Sequence, residues 1–125
     1  MRKVSICALA VALVAGTATV ALADVKKVGG HISVNTGATG VFKGKVKSSR
    51  RFCFRNRLVV LKRKKPGKDP IIGRDRTNRK GRYRIDLGNP VTGAFYARAT
   101  RKIRIVSGNG IVCRPIQSSV IHISL

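Results

Sequence analysis

The sequence predicts an all-β fold, a two-sheet antiparallel Greek-key sandwich of about seven strands with one disulfide. Three observations predict it. Short runs of alternating apolar and polar residues recur about every 8 to 12 residues between Gly, Pro and Asn turn signals. No window carries the i, i+3, i+4 apolar repeat of an amphipathic helix. Two cysteines, Cys53 and Cys113, stand far apart in the part of the chain expected to fold.

That part begins after residue 23. Arg2 and Lys3 form a charged start, residues 4–23 are an almost unbroken apolar run, and Ala21-Leu22-Ala23 is the small-x-small pattern of a signal-peptidase site. Residues 1–23 are therefore expected to be a signal peptide, with Asp24 as the mature N-terminus. The rival reading is a retained anchor, since about 20 apolar residues can just span a bilayer. No Leu-x-Gly-Cys lipobox surrounds Cys7, so a lipoprotein anchor has no support.

Removing 23 of 125 residues leaves 102, enough for one small domain. Those residues hold 25 of the 27 Lys and Arg against 4 Asp and no Glu, a formal +21. Charge of that size bears on partners and solubility, not on fold. Export to an oxidising compartment makes Cys53 and Cys113 the one available disulfide. Closing a loop of about 60 residues stabilises by roughly 4 kcal/mol in the chain-entropy model. A metal pair is the weaker reading, because His31 and His122 have no zinc-ligand spacing to a cysteine.

Residues 24–40 are short of large apolar side chains and rich in Gly and Thr. They are expected to be a flexible leader with one short strand near residues 31–34, ahead of a sandwich domain over 41–125. The first domain strand is residues 41–47, with Phe42, Gly44 and Val46 inward and Lys43, Lys45 and Lys47 outward. A basic loop, 48–56, carries Cys53. The second strand, 57–64, holds four consecutive apolar residues, which leaves its inward face ambiguous. Residues 65–70, with Pro66, Gly67 and Pro70, form a hairpin connection.

The third strand is 71–77, and Asn78-Arg79-Lys80-Gly81 turns into a fourth, 82–87. There Tyr83, Ile85 and Leu87 alternate with Arg82, Arg84 and Asp86. A fifth strand follows Gly93 and either continues or restarts near 103–106. Ser107-Gly108-Asn109-Gly110 turns the chain, and 118–125 is the last strand. Phe42, Tyr83 and Phe95 are the expected large core fillers, with Phe52, Phe54 and Tyr96 left free to stack.

Thr77-Asn78-Arg79-Lys80-Gly81-Arg82-Tyr83, followed by Gly93-Ala94-Phe95-Tyr96, resembles the turn and strand openings of carboxypeptidase regulatory-like, transthyretin-like sandwich domains. In that group a Thr-x-x-x-Gly-x-Tyr turn leads into a strand, and a Gly-x-Tyr/Phe pair opens the next. Residues 42–125 are also similar to small, basic, secreted actinobacterial proteins of undefined function that carry a similar cysteine pair. The resemblance implies a stabilising or ligand-presenting module. One branch of the group hydrolyses 5-hydroxyisourate through a C-terminal Tyr-Arg-Gly-Ser and placed histidines. This chain ends His122-Ile123-Ser124-Leu125, so that activity has no support.

Catalytic chemistry is thinly provided for. Four Asp, two His and no Glu are scattered, and no phosphate loop, dinucleotide fingerprint, EF-hand or zinc-finger spacing occurs. Asp69, Asp75 and Asp86 each neighbour Lys or Arg and are assigned to charge balance or turns. No enzyme activity and no cofactor is expected. The basic surface remains. Lys43, Lys45 and Lys47 on one strand, Arg82 and Arg84 on another, and Lys62 and Lys64 beside the hairpin are the candidate polyanion-binding residues. Alternate side chains about 7 Å apart on a strand match successive phosphates of an extended polymer. Lysines on a sheet edge also block edge-to-edge aggregation.

The expected function is a secreted or envelope-associated, non-catalytic module attracting anionic polymers: cell-wall polymer, polysaccharide or extracellular nucleic acid. The alternative is a structural or protein-interaction domain of the cell envelope whose charge serves solubility. Sequence-specific nucleic-acid binding is disfavoured, because the aromatics are mostly committed to the core. Membrane attack finds little support without an amphipathic helix.

Overall fold

A computed structural model describes residues 24–36 and 39–124. The expected signal segment 1–23 with Cys7, and Leu125, lie outside the described residues.

Alternation along residues 41–47 and 82–87 builds one sheet. Its centre is β4 (Val41–Lys47), flanked on one side by β7 (Arg82–Asp86) and on the other by β2 (His31–Ile32) and then β3 (Asn35–Thr36). The second sheet runs β6 (Ile71–Arg76), β5 (Leu58–Arg63), β8 (Gly93–Ala99), with β11 (Ile116–Gln117) and β12 (Ile121–Ile123) following one another along the far edge of β8. The chain passes from one sheet to the other after β4, β6 and β7, as in a Greek-key sandwich.

The core lies between the sheets. Ile32, Val34, Phe42, Val46, Tyr83 and Ile85 meet Val59, Leu61, Phe95, Ala97 and Ala99. Phe42 and Phe95 touch across the layers, ring centroids 5.3 Å apart and tilted 59°. Each large side chain fully buried there stabilises by about 1.5–3 kcal/mol. In β5 the inward residues are Val59 and Leu61, and Val60 is buried on the opposite face.

Several expectations need correction. The described residues form twelve strands, not about seven: the 93–106 stretch divides into β8 and β9 (Lys102–Val106), the expected last strand, 118–125, narrows to β12, and β11 precedes it. Residues 24–36 carry more than the one short strand expected near residues 31–34. They hold β1 (Asp24–Val28), β2 and β3, whose two-residue strands are too short to show any periodicity in sequence. The basic loop contains a helical turn, α1 (Arg51–Phe54). Beside the sandwich, β1, β10 (Asn109–Cys113) and β9 form a third sheet, and β1 runs parallel to β10 within an otherwise antiparallel fold.

Cys53 on α1 and Cys113 at the end of β10 are disulfide-bonded, with Cα atoms 5.4 Å apart. The bond fastens the third sheet to the sandwich. Arg57 reinforces the junction. It is 2 % exposed. Its guanidinium donates to the carbonyls of Thr100 at 2.6 Å, Cys53 at 2.7 Å and Arg114 at 2.6 Å. Burial lowers its pKa from the ordinary arginine value. Three carbonyl dipoles thus solvate a charge that has no carboxylate partner among the described residues. No helix of the described residues is long and apolar enough to cross a membrane.

Candidate polyanion-binding face

The pairing of β4 with β7 places Lys43 opposite Arg84 and Lys45 opposite Arg82. Phe42, Val46, Tyr83 and Ile85 turn inward, so by alternation the cations stand together on the outer face. On the other flank of β4, His31 lies opposite Lys47 and Asn35 opposite Lys43. Five of the seven residues expected from the sequence, Lys43, Lys45, Lys47, Arg82 and Arg84, therefore share one surface.

Directly opposed like charges destabilise a sheet, and here two such pairs are adjacent. The described residues contain two ion pairs, Lys64–Asp69 at 3.9 Å and Arg84–Asp86 at 3.7 Å. Asp75 accepts the backbone N–H of Arg84 at 2.9 Å. Lys43, Lys45, Lys47 and Arg82 have no carboxylate partner among the described residues.

The face continues into a groove that sequence reading did not assign. The turn after Thr77 is built by its own side chains. Asn78 Oδ1 accepts from the N–H groups of Lys80 at 2.9 Å and Arg82 at 3.0 Å. Gly81 takes φ 81°, a conformation that favours glycine. Thr77 Oγ1 donates to the Phe54 carbonyl at 2.6 Å and accepts the Arg57 N–H at 2.7 Å, locking the turn against α1. Tyr83 donates its hydroxyl to the Ser33 carbonyl at 2.7 Å over Gly44. A Cβ at Gly44 would stand 1.9 Å from that carbonyl oxygen.

This scaffold holds Arg79 and Lys80 exposed opposite Arg51 of α1 and Arg55 just after it. Two adjoining clefts result, about 490 Å³ against Lys45, Lys47 and Ser48, and about 550 Å³ against Arg51 and Arg55. Both share Phe54, Arg79 and Lys80, and neither is lined by a carboxylate. The available signal was the turn string itself, whose Arg-Lys pair must project where Asn78 and Gly81 reverse the chain.

Lys62 and Lys64 do not join this surface. They lie at the end of β5 in the other sheet, where Lys62 pairs with Tyr96 in register and Lys64 reaches Asp69. Nor are the aromatics free. Tyr96 is buried and donates to Asp69 at 2.7 Å, Phe54 packs against the core, and Phe52 has Lys102 at 4.2 Å and Arg104 at 4.8 Å from its ring centroid. The Lys65 N–H, then the Tyr96 hydroxyl, hold the Asp69 carboxyl below its ordinary range, and the same hydrogen bond raises Tyr96. Lys102 donates to the carbonyls of Phe52 at 3.0 Å and Arg55 at 2.7 Å, and burial, then the charge of Arg57, lowers its pKa.

Among the described residues no group of three or more His, Cys, Asp or Glu is placed to hold a metal. His31 and His122 are exposed on strands. The β4–β7 face and the adjoining clefts thus concentrate cations, and no carboxylate lines the clefts. No protein-family model matches the chain, and no curated protein matches it.

Proposed function

We propose that the chain is an exported, non-catalytic β-sandwich of the carboxypeptidase regulatory-like, transthyretin-like kind that binds anionic polymers through the outer face of β4 and β7 and the adjoining groove. One observation carries this reading. Lys45 opposes Arg82 directly, beside the Lys43–Arg84 pair, with no carboxylate on the first pair among the described residues. An arrangement that costs stability in the isolated sheet becomes favourable when an anionic chain lies across it. Polymer binding there displaces condensed counterions, so affinity follows salt.

Removal of residues 1–23 at Ala23 and delivery outside the cytoplasm belong to the same reading, because the chain would then meet cell-wall polymers, acidic polysaccharide or extracellular nucleic acid. The test is a salt titration of the folded protein against heparin, teichoic acid and duplex DNA. If about six phosphates are neutralised on duplex DNA, log K falls against log salt with a slope near about −5. Affinity indifferent to salt would overturn the proposal. Retention of one protein partner at high salt, with polymers lost, would establish the protein-interaction alternative instead.

A further inference from the structure

The third sheet has two unlike faces. Its inner face carries Cys113, bonded to Cys53, and the cations Lys102 and Arg104 lie over Phe52. Its outer face follows from the register. Ile103, Val112 and Lys27 form one row, and Ile105, Gly110 and Val25 form the next, toward the Ser107-Gly108 turn. Val25 is 43 % exposed, Ile103 46 % and Ile105 59 %, while Val106 beside the turn falls on the alternate face with Arg104. Ile105 and Val25 thus stand toward the tip, and Ile103 lies one row nearer the base beside Lys27. Exposed Arg101 and Arg114 stand at the base, just past the Lys102–Cys113 pair, and Lys26 and Lys27 line the β1 edge. The one carboxylate of the sheet, Asp24, falls on the alternate position to Val25 and opposite Asn109.

We propose that this ribbon docks on an anionic lipid surface. Ile103, Ile105 and Val25 enter the boundary between headgroups and acyl chains, while Lys27, Arg101 and Arg114 meet the headgroup phosphates. Rows of alternate residues are about 7 Å apart, so an apolar tip ahead of a cationic base matches the shallow depth of interfacial segments, about 5–10 Å. The amphipathy has period two, which a search for amphipathic helices passes over.

A second copy of the chain fits this face less well. Each copy carries 27 Lys and Arg against 4 Asp, so pairing two ribbons would bring like charge together with nothing to neutralise it. A hydrated anionic polymer would satisfy the cations and leave the isoleucines in water. An anionic bilayer satisfies both. The proposal uses none of the residues of the β4–β7 face and does not rest on polymer binding.

The experiment is co-sedimentation of the folded protein with vesicles of phosphatidylglycerol and phosphatidylcholine in equal parts, compared with phosphatidylcholine alone, at low salt and at about 0.5 M salt where exposed charge is screened. Binding to the anionic vesicles alone is expected, with a fraction surviving high salt. Ile103→Ser with Ile105→Ser should lower the partition coefficient by about tenfold per residue. Both side chains are exposed, so the fold and disulfide should persist, and heparin affinity should be unchanged. Lys45→Gln with Arg82→Gln should weaken heparin binding and spare the salt-resistant fraction on vesicles. Three results would overturn the proposal: equal vesicle binding by the isoleucine variant, equal binding to phosphatidylcholine alone, or a wild-type dimer in sedimentation that the isoleucine variant abolishes.

Discussion

Arg57 donates Nη1 to the Cys53 carbonyl at 2.7 Å, within the helical turn that also anchors the disulfide. The other two bonds of the same guanidinium hold Thr100 and Arg114, the residues on either side of the β9–β10 hairpin. One buried cation therefore joins sandwich, helical turn and third sheet. Replacing it by Met preserves bulk and strands three carbonyls without donors, each costing on the order of 1 kcal/mol or more. Arg57→Met is expected to lose about 3 kcal/mol in urea unfolding with the disulfide intact. Arg57→Lys should recover only part, because an ammonium lacks the planar fork that reaches three directions. A loss below about 1 kcal/mol for Met would show that water replaces the guanidinium.

The disulfide acts on the same junction through the unfolded chain. Its two cysteines are 60 residues apart, and a loop of that size corresponds to roughly 4 kcal/mol in the chain-entropy model. Reduction of the folded protein should lower the urea midpoint accordingly. Hydrogen exchange should then show β1, β9 and β10 opening before the β4, β5 and β8 amides, since the third sheet lacks the sandwich core. Uniform loss of protection in all three sheets would contradict that order.

The sequence made β4 and β7 legible residue by residue because each has one wet face, which forces strict alternation from Phe42 to Lys47 and from Arg82 to Ile85. The five outer cations followed directly. What alternation could not supply was adjacency. Lys62 and Lys64 have the same composition as Lys43 and Lys45, and only the pairing of β5 with β8 puts them on the other sheet. Arg57 was hidden for a different reason. An arginine at a strand start reads as exposed, and its three acceptors come from positions up to 57 residues away in the chain. The burial of Tyr96 is invisible to alternation, because it depends on Asp69 folding back over the 65–70 hairpin.

Tyr83 makes the fold sensitive to alkali. Burial pushes its hydroxyl well above its ordinary range, while in the unfolded chain it ionises near about pH 10. Its folded pKa is raised, so the stability it contributes is complete below about pH 10 and is lost progressively as pH rises toward the folded value. Wild-type stability should fall across that window. Tyr83→Phe should lose about 1 kcal/mol at neutral pH, the hydrogen bond to Ser33, and show a shallower decline above about pH 10. Parallel declines for the two proteins would assign the alkaline loss to other groups.

Lys45 and Arg82 offer the sharpest separation of function from stability, because the two quantities should move in opposite directions. Lys45→Glu turns a like-charge pair into an opposite-charge pair on an exposed face, which is expected to stabilise by about 0.5–1 kcal/mol. The same change should weaken heparin binding. Lys45→Gln with Arg82→Gln removes two phosphate contacts and should make the duplex DNA salt slope shallower by about 2. Lys62→Gln with Lys64→Gln removes as much charge from the other sheet. If anion binding is local to the β4–β7 face, that control should leave most of the affinity in place. If the two pairs of substitutions weaken binding equally, the protein attracts polyanions by net charge and the opposed cations are not a site. If Lys45→Glu destabilises the fold, the cross-strand register does not bring Lys45 and Arg82 into effective repulsion.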